Sequence, residues 1–122
     1  MSAYEVQIFL DKFKIYCQQN FISGLETIFD VVDPRYPEFN SPERPAAMVV
    51  SPIDLKIWEI NYRKFRDDEE KLAEHAVKLQ AAMWGNMSDD SHDKVRQTAE
   101  GSAAERGGDD PLNLIKAIRS TH

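Results

Sequence analysis

The chain has 122 residues, of which 42% are hydrophobic and 30% charged, with a formal net charge of −6. That length and balance describe one domain with a modest core and exclude a disordered chain. The acidic balance argues against strong binding to a nucleic-acid backbone, which needs a basic surface. The single cysteine, Cys17, excludes an internal disulfide framework and points to an intracellular, cytoplasmic protein. No apolar run approaches the ~20 residues of a membrane span. Met1 to Leu10 carries Glu5 and no basic n-region, which argues against a secretory signal.

Residues 1–32 predict two N-terminal helices. In the first, from Ser2 to about Gln19, Val6, Phe9, Leu10, Phe13, Tyr16 and Cys17 recur at steps of three and four, with Glu5, Asp11, Lys12 and Lys14 on the wet side. Phe21, Ile22, Leu25, Ile28 and Phe29 fit a second short helix, broken near Ser23-Gly24. Residues 33–50 then form a proline-rich arm. Pro34, Pro37, Pro42 and Pro45 forbid helix and favour extended, polyproline-like backbone.

The dominant feature is the run over residues 51–85. Ser51-Pro52-Ile53-Asp54 supplies a hydroxyl cap, a proline at the first helical position and a carboxylate in the first turn. Leu55, Trp58, Tyr62, Phe65, Glu69, Leu72, Ala76, Leu79 and Met83 follow at alternating steps of three and four, so one face of a long helix is marked out. Trp84-Gly85-Asn86 closes it, with Gly85 free to adopt the left-handed conformation of a C-terminal cap. The expected helix runs from about Pro52 to Trp84, roughly 50 Å at ~1.5 Å per residue. Trp58 and Phe65 are expected to pack on Phe9 and Phe13 of the first helix.

Residues 88–122 predict weaker helices. Ser88 to Asp93 offers caps for a third helix reaching about Ala104, whose stripe is only Val95, Ala99 and Ala103. Gly107-Gly108 breaks it, and Asp109 or Asp110 caps a last helix with Pro111 in its first turn. Leu112, Leu114, Ile115 and Ile118 are the apolar residues of that helix, and Lys116 and Arg119 suit its C-terminal end. The stop one turn later, at Thr121-His122, suggests truncation. The expected architecture is all-α, a small bundle of four to five helices around one long central helix.

No residue set carries catalytic or metal chemistry. Cys17 has no basic neighbour in sequence and falls in register with Phe9 and Phe13, as a buried structural thiol would. His75 and His92 are too far apart to form a local metal pair, and Asp89 to Asp93 lacks the glycine and terminal glutamate of a calcium loop. Arg63-Lys64-Phe65-Arg66 runs straight into Asp67, Asp68, Glu69 and Glu70. Pairs along the helix, Arg66 with Glu70 and Lys71 with Glu74, are the expected use of those charges. No cofactor, small-molecule substrate or enzymatic activity is expected. The face formed by Leu55, Trp58, Tyr62, Phe65, Leu72, Leu79 and Met83 is either ordinary core or a self-association surface. A helix this long has more apolar face than its short neighbours can cover.

Three stretches carry a family resemblance. They are Ile57-Trp58-Glu59-Ile60-Asn61-Tyr62-Arg63-Lys64-Phe65, then Asp68-Glu69-Glu70-Lys71-Leu72, then Ala81-Ala82-Met83-Trp84-Gly85-Asn86. Their order and spacing resemble the Gag-like region of copia-type LTR retrotransposons. Phe13-Lys14-Ile15-Tyr16-Cys17 with Asn20-Phe21 is similar to the opening of that region. Asp110-Pro111-Leu112-Asn113-Leu114-Ile115-Lys116-Ala117-Ile118-Arg119 is similar to its closing step. The resemblance implies the N-terminal part of a helical capsid protein that assembles with itself, and it deepens the expectation of truncation. It implies RNA contact only through downstream regions that this sequence lacks, and no membrane partner. A helical adaptor that binds a partner protein through the same stripe is the alternative.

Overall fold

A computed structural model describes residues 2–46, 51–97 and 110–122, and its fold is all-α. Among the described residues the elements are α1 (Ala3–Asn20), a 3₁₀ turn (Leu25–Phe29), α2 (Pro52–Gly85), α3 (Asp89–Arg96) and α4 (Pro111–Thr121). Each α-helix begins on a side-chain cap, because the first backbone N–H groups have no partner inside the helix. The Ser2 hydroxyl accepts from Glu5 N–H, Ser51 from Asp54 N–H and Ser88 from Ser91 N–H. The Asp110 carboxylate accepts from the N–H groups of both Leu112 and Asn113.

The second short helix, expected to be broken near Ser23-Gly24, is a 3₁₀ helix that begins after that break. Gly24 makes the break. It sits at φ +98°, which an L side chain rarely adopts, and a Cβ there would lie 2.9 Å from Cβ of Pro37. The turn therefore starts after Gly24 rather than continuing from Phe21. The far end of α2 also departs from expectation. Gly85 is its last helical residue and is not left-handed; Asn86 caps the helix at φ −99°. The Asn86 N–H reaches the carbonyls of Met83 and Trp84, and its side-chain amide donates to Ala82 O at 2.6 Å. Those bonds satisfy the terminal carbonyls without a left-handed residue.

α3 ends at Arg96, eight residues from its start. The rest of the expected third helix, with Ala99 and Ala103, and the Gly107-Gly108 break lie outside the described residues. Val95 is fully buried, as the sparse stripe required.

The core forms where Val6, Leu10, Phe13 and Cys17 of α1 meet Leu25, Ile28 and Phe29 of the turn, Leu79 and Met83 of α2, and Leu114, Ile115 and Ile118 of α4. α4 touches α1, α2, α3 and the 3₁₀ turn, so the shorter elements converge on it. Polar clamps hold it there. Arg119 donates to the carbonyls of Phe29 and Asp30, at 2.6 and 3.3 Å. The Tyr36 hydroxyl donates to the Asp110 carboxylate, tying the base of the arm to the start of α4. Only the last third of α2 enters this core. Before Leu72, none of its residues joins the core or packs against it.

The expected packing of Trp58 and Phe65 on α1 is therefore wrong. Phe9 and Phe13 pair with each other at 4.9 Å, and an aromatic series continues through Tyr16 and Phe21 to His75 on α2. Trp58 lies 17 residues before His75, about 25 Å up the helix at ~1.5 Å per residue. α1 cannot reach it.

His75 makes the junction of α1 and α2 pH-sensitive. Its Nδ1 accepts the Ile22 N–H at 2.8 Å, which requires that nitrogen to be unprotonated. Burial, then the charge of Lys78, holds its pKa below the ordinary value of 6.5; Lys71 adds to the effect and Glu74 opposes it. Burial also lowers the pKa of His122. The unfolded chain then binds more protons than the fold as pH drops below about 6.5. Stability is full above that value and is lost as pH falls towards the folded-state pKa. Urea unfolding at pH 8 and pH 5.5 should show a lower midpoint at pH 5.5. His75→Asn, whose Oδ1 can still accept, should reduce that difference; a pH-independent midpoint would contradict it.

Candidate interaction surface

The stripe picked out in the sequence divides between two jobs. Leu79 and Met83 are fully buried and Leu72 packs against the core, so the C-terminal part of the face is core. Leu55, Trp58 and Phe65 are half-buried and Tyr62 is exposed, on a part of α2 that projects beyond the bundle. What covers Trp58 is the arm. Its indole N–H donates to Pro42 O at 3.0 Å, and the Arg44 guanidinium sits 5.4 Å above the ring. Tyr62 stacks on the Trp58 ring at 5.3 Å and meets Phe65 at 6.1 Å. The sequence explains this fit. Prolines hold the arm extended, its backbone carbonyls have no helical partners, and an aromatic N–H can satisfy one of them.

The arm lies along the projecting segment and leaves a shallow groove of about 380 Å³ between Phe39, Asn40 and Pro42 on one side and Asn61, Phe65 and Asp68 on the other. A second depression of about 320 Å³ continues towards Asp54 and Ile57. Next to the arm, Ile53, Ile57 and Ile60 stand 71%, 53% and 58% exposed. Their 4-and-3 spacing places them on one face, about a third of the way round the helix from Trp58. That second stripe was legible in the sequence, but the longer aromatic stripe drew the assignment.

Among the described residues, no ion pair closes on the charges of the projecting segment. Among the described residues the ion pairs are Lys14–Asp30, Arg35–Asp33 and Arg96–Asp93. The pairs expected along α2, Arg66 with Glu70 and Lys71 with Glu74, do not close. Long flexible side chains at a surface gain little from such pairing, so water competes well for them.

Cys17 is fully buried, and burial followed by the nearby Glu26 charge pushes its thiol pKa up to about 12, where the reactive thiolate is scarce. Among the described residues no group of three or more His, Cys, Asp or Glu side chains could hold a metal ion. His75 and His92 serve packing: His92 stacks on Trp84 at 4.1 Å and contacts the Trp84 carbonyl, while His75 accepts from Ile22. Among the described residues no helix is long and apolar enough to cross a membrane. No family model, curated protein or solved structure matches the chain.

Proposed function

We propose that this chain is a structural, self-associating protein of Gag or capsid type, derived from a retrotransposon, and that the projecting half of α2 is its contact surface. One observation carries the proposal. A 34-residue helix commits only its last third to the core and holds Ile53, Ile57 and Ile60 out to solvent. Exposed apolar faces on a rigid arm mark sites of protein association. The resemblance of the Ile57–Phe65, Asp68–Leu72 and Ala81–Asn86 stretches to a Gag-like region, which implies self-assembly, supports the same reading. The role is non-enzymatic and requires no cofactor.

Light scattering of the purified chain from low to high micromolar concentration tests the proposal. The weight-average mass should rise above the 14.0 kDa of one chain. Added RNA should leave it unchanged, since the net charge of −6 disfavours phosphate contacts. A mass of one chain throughout would contradict self-association. It would favour a helical adaptor, for which the groove between the arm and α2 offers a seat for one partner protein.

A further inference from the structure

From Glu38 to Ala46 the burial of the arm repeats at steps of three. Phe39, Pro42 and Pro45 are half-buried, while Glu38, Asn40, Ser41, Glu43, Arg44 and Ala46 are exposed. A polyproline II strand turns once in about three residues, so it can rest one edge on a surface and leave the other two wet. Here the surface is α2. Phe39 and Pro42 border the larger groove with Asn61 and Phe65, and Pro42 and Pro45 border the second depression with Ile57 and Trp58.

The contact has the chemistry of proline-rich recognition. Trp58 and Tyr62, one turn apart on α2, stack at 5.3 Å and give the strand an aromatic platform. A polyproline strand has no internal hydrogen bonds, so its carbonyls are open to an outside donor. The Trp58 indole N–H is that donor, to Pro42 O at 3.0 Å. Arg44, on a wet edge of the strand, holds its guanidinium 5.4 Å over the same ring, a cation–π contact. Pro42-Glu43-Arg44-Pro45 is thus a Pro-x-x-Pro segment lying on an aromatic-lined groove, the arrangement by which such grooves select extended proline-rich ligands.

The arm can leave this seat without disturbing the core. None of its residues from Glu38 to Ala46 is fully buried, and none joins the core cluster. Its base stays tied to the bundle, where the Tyr36 hydroxyl donates to the Asp110 carboxylate.

We infer that the Trp58–Tyr62 face of α2 is a binding site for polyproline II segments, filled in cis by the chain's own arm. Its partner in trans is another protein that presents a Pro-x-x-Pro segment with an arginine inside it. The arm of a second copy is the weaker competitor, because it is already held beside its own α2 at a local concentration on the order of a millimolar. A segment on a different protein carries no such tie. The site does not depend on self-association.

Fluorescence anisotropy of a labelled peptide of residues 37–46 tests the site on three full-length chains. They are the wild type, the arm-weakened Pro42→Gly/Arg44→Ala/Pro45→Gly chain, and that chain with Trp58→Ala added. The arm-weakened chain should bind the peptide roughly tenfold or more tightly than wild type, whose own arm competes for the seat. Adding Trp58→Ala, or replacing both peptide prolines by glycine, should abolish binding. All four substituted positions lie outside the core, so the three chains keep the same bundle. An arm-weakened chain that ignores about a millimolar of peptide would overturn the site, since the cis arm acts at that concentration. Equal affinity for the first two chains, or binding that survives Trp58→Ala, would overturn it too. Light scattering of the wild type with the peptide added should show no loss of self-association. Dispersal of wild-type oligomers by the peptide would assign the seat to the arms of neighbouring copies and overturn the choice of partner. A monomeric wild type whose arm-weakened form binds the peptide would sink self-association alone.

Discussion

Leu79→Ala should destabilise the fold by about 2–5 kcal/mol, the usual cost of emptying a fully buried leucine site. Leu79 is fully buried where the last third of α2 meets the core. Against a net stability of about 5–15 kcal/mol, that loss moves the urea midpoint far and unfolds a marginal domain. Trp58→Ala should behave differently although the residue is larger. Its deletion removes the hydrogen bond to Pro42, the Arg44 contact and the stack with Tyr62, each worth roughly 0.5–1.5 kcal/mol. Even that is felt only if the arm unfolds together with the core. Urea unfolding of both variants gives the comparison, and a Trp58→Ala loss as large as that of Leu79→Ala would place the tryptophan in the core after all.

Features set by short-range physics were legible in the sequence, and features set by long-range packing were not. Helix starts were legible because capping is local: Ser51-Pro52 and Asp110-Pro111 mark their helices within a few residues. The apolar faces of α1 and α2 were legible for the same reason, since periodicity records which side is wet. The place where those faces are covered was not. A stripe looks the same whether a helix, an extended arm or nothing lies on it, so Leu55 and Leu79 were indistinguishable until the fold put one outside and the other inside.

The end of α2 shows the same limit. Gly85 offered a left-handed cap, but the Asn86 side chain closed the helix by another route. The importance of α4 was missed as well. Arg119 was assigned to its own helix end, where a cation suits the dipole. Its partners are the carbonyls of Phe29 and Asp30, some ninety positions away in the chain. Nothing local to Arg119 announces them. The surface proposed for association stands on the same footing, for the Ile53-Ile57-Ile60 spacing was visible but its exposure was not.

The last third of α2 serves the fold, and the rest, which we propose for association, stands outside the cooperative core. Thermal melting of Ala76→Pro beside Ile60→Pro tests it most directly. Both substitutions remove a hydrogen bond and clash with the preceding turn, at a local cost of ~3 kcal/mol or more. Ala76 is buried at the edge of the core, so the break there is transmitted to the whole domain and the melting temperature should fall steeply. Ile60 lies where no other helix packs, so its break should melt the tip of α2 alone. The expected result for Ile60→Pro is a reduced helical signal with a melting temperature close to wild type. Equal, large drops in melting temperature for the two variants would mean that the projecting half is part of the cooperative core, and would contradict the account.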